Sequence, residues 1–270
     1  MAVSASLKKR LRSYGPWAIV TGASSGIGRE IAERLAEAGL NLVLVGRNEK
    51  ALDEARASLE AYDAGIQVLY ADLSQRKEVE RVIQQVEGLD IGLYVASAGF
   101  GTSGEFVKSS LEDELNMLEV NCTALFILTH HFAKLFQERG KGGIILLSSI
   151  VGFQGAPYAA HYAATKAYVQ SLGEALAVEL GSAGVKVLAA APGPVNTGFG
   201  DRAKMQMGQA LKPSDVGLPI LKALGRKNTV LPGFLSKFLV GSLSMLPRWG
   251  KVRVMKLVMG GMTKHQRSAA

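Results

Sequence analysis

Three side chains in the second half of the chain are of types that can move a proton and hold an oxygen: Ser149, Tyr162 and Lys166. Tyr162 and Lys166 stand four residues apart in Tyr-Ala-Ala-Thr-Lys, so on a helix they share one face. A free phenol titrates near ~10 and is a poor acid or base at neutral pH. An ammonium one turn away favours the phenolate, which predicts a lowered value and a usable proton donor for a carbonyl oxygen. Ser149 closes the preceding apolar run, where its hydroxyl can hold that same oxygen. The spacing also arises by chance on ordinary helix surfaces, so the pair needs a partner before it carries weight.

The partner is written earlier, in Thr21-Gly22-Ala23-Ser24-Ser25-Gly26-Ile27-Gly28, which follows a strand-like run and opens into a helical pattern. A pyrophosphate wants backbone N–H groups and the positive end of a helix dipole, and glycine lets the backbone come close enough to supply both. Gly22 is expected to permit the tight turn, Gly26 the close approach and Gly28 the packing of helix on strand, with Ser24, Ser25 and Ile27 completing the cradle. A dinucleotide there would bring hydride to the carbonyl carbon, and Lys166 would reach its ribose hydroxyls. The next strand ends Val45-Gly46-Arg47-Asn48. An acid at that point would accept from the ribose diol of NAD; Arg47 offers a charged fork to a 2′-phosphate, so NADP is expected over NAD. The alternative is a solvent-facing arginine ahead of a helix. Asp72, followed by Leu73, stands where it meets an adenine amino group or caps the next helix.

These groups need elements to position them. Short β-rich runs cover Trp17 to Thr21, Asn41 to Val45, Ile66 to Tyr70, Ile91 to Ala96, Gly143 to Ser148 and Val185 to Ala190. Helical patterns such as Gly28 to Ala38 and Lys50 to Tyr62 separate them. Continuous apolar strands alternating with helices predict a Rossmann-type, doubly wound parallel sheet, an α/β fold whose ligands bind at the carboxyl edge. Past Asp201 a helix is expected from Pro213, with Ser214 and Asp215 in its first turn, then a strand near Asn228 to Leu231. The expected division is a basic tail at 1–16, a dinucleotide-binding and catalytic domain at 17–232, and a basic, apolar extension at 233–270.

Together TGASSGIG, the serine thirteen residues before YAATK, and Pro192-Gly193-Pro194-Val195-Asn196-Thr197 resemble the short-chain dehydrogenase/reductase family, from about Trp17 to Thr197. The resemblance implies catalytic roles for Ser149, Tyr162 and Lys166, and a water-holding place for Asn121 in a proton relay. It brings Thr197, with Pro192, Gly193 and Val195, to the nicotinamide, and Ala98 and Gly99 to the cofactor ribose. One departure stands out: Ala96-Ser97-Ala98-Gly99 replaces the family's Asn-Asn-Ala-Gly, so Ser97 must substitute for a bracing amide or the brace is lost.

Other candidates are weaker. His130, His131 and His161 read as packing or surface residues, Glu112 to Glu114 as a solvated helix start, and Cys122 as a small buried side chain. One cysteine excludes an intrachain disulfide framework and a cysteine-cluster metal site, so no metal is expected and a cytoplasmic setting is. At 48% apolar and 20% charged, the chain of 270 residues can bury a core and is not a disordered type. The charge is uneven. Residues 1–16 hold four basic and no acidic residues, residues 216–270 ten basic and none acidic, and the body between them 17 basic against 23 acidic. Such ends suit anionic lipid, or simply solubilise; nucleic acid is not expected, because interleaved aromatics are missing. The apolar run Gly233 to Leu246 is too short to span a bilayer.

Phe199, Met205 and Met207, with Met245, Met255, Met259 and Met262, predict an adaptable apolar wall and a lipophilic carbonyl or alcohol substrate. Rival readings are reduction of 3-oxoacyl thioesters on a carrier, and a regulatory NADP-binding protein without turnover. By the resemblance, helices around Glu105 to Glu138 and His161 to Leu180 imply a homodimer or homotetramer.

Overall fold

The computed structural model describes residues 2–208 and 210–267. The six apolar runs become β1 (Trp17–Thr21), β2 (Asn41–Gly46), β3 (Ile66–Tyr70), β4 (Ile91–Ala96), β5 (Gly142–Leu147) and β6 (Val185–Ala190), and a short β7 (Thr229–Val230) follows. All pairings are parallel, in the order β3-β2-β1-β4-β5-β6-β7. Each parallel neighbour requires a crossover, so helices cover both faces, and β1, β2, β4 and β5 are buried on both sides over most of their length. Along β1, Ala18 and Val20 pack into one layer and Ile19 into the other.

One layer holds α1 (Ala5–Arg12), α2 (Gly26–Glu37), α3 (Glu49–Ser58) and α9 (Ser214–Ala223); the other holds α4 (Arg76–Gln85), α6 (Leu125–Arg139) and α7 (Ala160–Glu179). The remaining helices, α5 (Leu111–Leu118), α8 (Phe199–Arg202), α10 (Phe234–Ser244), α11 (Arg248–Met262) and α12 (Lys264–Arg267), gather above the carboxyl edge or flank it. The strand order reverses between β1 and β4, whose following loops diverge and leave a crevice there. The chain is thus one Rossmann-type domain with a C-terminal helical extension.

Two expectations need correction. The basic tail expected at 1–16 is, over residues 2–16, packed on the domain, because Val3, Leu7, Leu11 and Tyr14 are buried in its core. The charges of that segment do specific work: Arg10 Nη2 donates to Leu221 O and Lys222 O near the end of α9, and Arg12 Nε donates to Ala38 O behind α2. Each guanidinium meets carbonyls left open where a helix ends, at the negative pole of its dipole. The second expected helix stops at Ser58 rather than Tyr62; Ser58 Oγ donates back to Ala55 O at 2.6 Å.

Candidate active site

The turn after β1 is built by glycine. Gly22 and Gly26 have φ of +68° and +59°, in the left-handed region that L side chains avoid. A Cβ on Gly22 would lie 2.7 Å from Ala98 Cα, and one on Gly28 2.3 Å from Gly22 O. Glycine at these positions therefore lets the turn, the loop after β4 and the start of α2 pack closer than any side chain would allow. Ser25, the N-cap of α2, makes no side-chain capping bond, so the first N–H groups of the helix are left for a ligand. The donor set suits the pyrophosphate of a dinucleotide.

The crevice is a cavity of about 500 Å³ running from this turn to the end of the sheet. Of the expected cofactor-binding residues, all but Gly28 and Asn48 line it. Gly28 lies against the carbonyl of Gly22 and the Ser97 hydroxyl, inside the turn rather than on a strand. Asn48 is committed elsewhere: its Oδ1 accepts from Ala51 N at 3.0 Å and caps α3. Arg47 lines the cavity, is exposed, and makes no ion pair among the described residues. Asp72 neither caps α4 nor is free of partners, since its Oδ1 accepts from the N–H and hydroxyl of Ser74.

At the other end stand Ser149, Tyr162 and Lys166, all lining the cavity and all buried. The Ser149 hydroxyl faces the Tyr162 phenol. Lys166 Nζ donates to Leu147 O at 2.9 Å and lies 5.9 Å from the centre of the Tyr162 ring. The first turns of α7 are fixed around them: Thr165 Oγ1 donates to Tyr162 O, and Ser148 Oγ donates to Lys166 O. The electrostatics run against the expected direction for the phenol. Burial pushes Tyr162 above its ordinary value, with only the Ser149 hydroxyl pulling it down. Burial also brings Lys166 down to about 8. Desolvation disfavours both charged forms, and at this depth it outweighs the attraction across one helical turn.

Asn121 sits in a π-helical turn, Glu119–Ala124, between α5 and α6. It does not line the cavity. Its Oδ1 accepts from Phe100 N at 3.0 Å, while Nδ2 donates to Phe100 O at 2.8 Å and to Thr165 Oγ1 at 3.1 Å. The side chain thus ties the loop after β4 to α7. The missing amide at Ser97 is compensated from another quarter: Thr21 Oγ1 accepts from the N–H groups of Ser97 and Ala98, both at 3.2 Å.

The acidic cluster is also only partly as expected. Glu112 and Asp113 are exposed, but Glu114 is buried and its Oε2 meets His161 Nδ1 at 2.7 Å, fastening α5 to α7 one residue before Tyr162. His130 and His131 do not line the cavity. Cys122 is buried, and burial pushes its thiol up to about 11, as suits an inert packing residue. Among the described residues no group of three His, Cys, Asp or Glu side chains is arranged to hold a metal.

An apolar wall closes the cavity above Tyr162. Phe199 packs on that ring with centroids 5.2 Å apart, and Met205, Met207, Met255, Met259 and Met262 join it. Met245 does not, being 86% exposed at the end of α10. Sequence reasoning missed Phe100, Arg202, Leu235, Leu239 and Val258, which also line the cavity. Leu235 and Leu239 stand four apart on α10 and share a face, a spacing that could have marked them; Phe100, Arg202 and Val258 arrive from separate elements.

The family model described as short chain dehydrogenase matches residues 16–207. The chain is 34% identical over 229 residues to a 7beta-hydroxysteroid dehydrogenase of Clostridium sardiniense, covering 83% of this chain and 88% of that one. A solved 7beta-hydroxysteroid dehydrogenase superposes with a TM-score of 0.84 at 28% identity, over 91% of this chain and 98% of its own. A short-chain dehydrogenase from Sphingobium yanoikuyae in complex with NADPH superposes with a TM-score of 0.77 at 30% identity, over 87% and 97% of the two chains. On that coverage and agreement of fold, the chain belongs to the short-chain dehydrogenase family, oxidoreductases that interconvert carbonyl and alcohol groups with a nicotinamide dinucleotide.

Proposed function

We propose that this enzyme interconverts a lipophilic ketone and its secondary alcohol, using NADP(H) in preference to NAD(H). The observation that carries the reading is the continuity of one cavity from the glycine cradle to a methionine-lined wall, with Ser149 and Tyr162 at the junction. Bound nicotinamide supplies hydride at carbon. Tyr162, kept protonated by its burial, gives its proton to the substrate oxygen, and Ser149 holds that oxygen in place. Lys166, anchored on Leu147 O, keeps a cation near the developing phenolate and is positioned for ribose hydroxyls. Asn121 holds the Phe100 loop and α7 in register. The exposed, unpaired Arg47 at the end of β2 supports the preference for a 2′-phosphate.

The wall of Phe199 and methionines supports a bulky apolar substrate, as does the likeness to enzymes that act on hydroxysteroids. NADPH oxidation against carbonyl compounds graded by size and polarity tests it. Bulky ketones are expected to give the highest kcat/KM. Equal turnover of small polar sugars would overturn the substrate class, and preference for carrier-bound 3-oxoacyl thioesters would replace it.

Two partner readings accompany this function. Phe234, Phe238, Met245, Trp249 and Leu257 on α10, α11 and their link are 60–86% exposed, among Lys237, Arg248, Lys251, Arg253 and Lys256. Among the described residues no helix is long and apolar enough to cross a membrane. Apolar side chains set among unopposed cations suit the surface of an anionic bilayer, where lipophilic substrates dissolve. Vesicles rich in phosphatidylserine are expected to float the full chain and purely zwitterionic vesicles much less; equal flotation, or none, would refute this contact. A homodimer or homotetramer is proposed through α5 and α7, where Leu111, Leu115 and Val178 are exposed. A monomer in sedimentation would refute it.

A further inference from the structure

Arg202 ends α8 in the cavity wall. Its guanidinium carbon lies 3.4 Å from the centre of the Phe100 ring, so the group rests on an aromatic face rather than ranging freely in solvent. Among the described residues it pairs with no carboxylate. Arg202 is exposed at the cavity rim, and partial desolvation there, with the like charge of Arg47, holds it below the usual arginine range, which Asp113 and Asp72 partly offset. Two cations without counter-ions, Arg47 and Arg202, therefore face one cavity that also contains the open N-terminus of α2. A guanidinium held this way is completed by an oxyanion, to which it can donate two parallel hydrogen bonds.

We propose that Arg202 is an oxyanion receptor of this cavity, specific for a phosphate or carboxylate group of the bound molecules. The proximity of Arg47, Asp72 and the glycine turn favours a phosphate of the dinucleotide. The proposal rests on the reading of the cavity as a dinucleotide and carbonyl site. It adds a coupling between the two halves. Arg202 shares its segment with Phe199, which packs on Tyr162, and with Met205 and Met207 of the apolar wall. Ser103 Oγ donates to Ala203 O at 2.6 Å, and Gln266 Nε2 donates to that hydroxyl at 2.8 Å, so the same segment is tied to α12. Arg202 and part of the apolar wall thus sit on one segment, so a change at the anion and a change at the wall share a backbone.

The test uses the full chain with Arg202→Gln and Arg202→Lys. Dissociation constants for NADPH and NADH, and kcat/KM for a neutral ketone and a matched ketone bearing a carboxylate, are measured alongside Tm. Arg202→Gln is expected to weaken NADPH by about 10- to 100-fold, with Arg202→Lys between it and the parent and Tm unchanged. Equal weakening of NADH identifies the pyrophosphate; weakening of NADPH alone identifies the 2′-phosphate. Unchanged cofactor affinity with a lost preference for the carboxylate ketone gives the oxyanion to the substrate. If neither quantity moves in a folded Arg202→Gln protein, the receptor is overturned. Loss of turnover in Tyr162→Phe would still uphold the carbonyl chemistry in that event, so the two readings fail separately.

Discussion

Tyr162→Phe is expected to lower kcat for carbonyl reduction by on the order of 10²- to 10⁴-fold while leaving the dissociation constant of NADPH nearly unchanged. The substitution deletes one hydroxyl and little else. The ring that packs on Phe199 is kept, and the backbone carbonyl that accepts from Thr165 Oγ1 is untouched. Lys166 stays anchored on Leu147 O, and the glycine turn is remote from the change. Only the proton donor is lost, so the effect should fall on kcat and leave cofactor binding intact. The direction of the phenol's shift adds a pH signature. A phenol pushed up by burial is protonated throughout the neutral range, so reduction should not lose its donor as pH rises toward 9. Alcohol oxidation needs the deprotonated phenol and should instead climb with pH. Steady-state rates in both directions with a fluorescence titration of NADPH check this. Residual reduction within about tenfold of the parent enzyme would remove Tyr162 from the proton-donating role.

Arg47→Asp is expected to cost NADPH preference over NADH by about 10- to 100-fold, with the lower figure at high salt. A hydrogen bond to a charged group contributes about 1.5–3 kcal/mol, and ~1.4 kcal/mol is tenfold in affinity. Arg47 is exposed, so screening trims that contribution, whereas the new carboxylate both repels a 2′-phosphate and accepts from a ribose diol. NADPH should therefore weaken while NADH improves. Titrating both cofactors at low and high ionic strength separates the two movements. An unchanged ratio would return Arg47 to a solvent-facing residue ahead of α3.

Much of the fold was legible because its signals are local. The runs at Trp17–Thr21, Ile66–Tyr70 and Val185–Ala190 are short and rich in β-branched and apolar residues, and their strand limits agree with the sequence reading. Boundaries drifted where turn bonds replace the helical ladder, as after Ser58, where the N–H groups of Leu59, Glu60 and Tyr62 donate three residues back. The phosphate turn was also legible, since Gly22 and Gly26 adopt backbone angles for which their type is the signal.

The sequence by itself determined the doubly wound sheet, the glycine cradle and the Tyr162–Lys166 pair, all properties of neighbours within one turn or one strand. Tertiary structure alone decided that Glu114 turns inward to His161, 47 residues away, and that Arg139 donates to Tyr14 O across 125. It decided that the basic N-terminal segment forms a helix that seats Leu7 and Leu11 in the core, that Met245 leaves the apolar wall, and that burial rather than a neighbouring ammonium controls the phenol. The physical reason is common to these cases. Periodicity and backbone preference are written in adjacent residues, whereas desolvation and charge pairing depend on which distant segments pack against a group, and that is settled only when the layers close on the sheet.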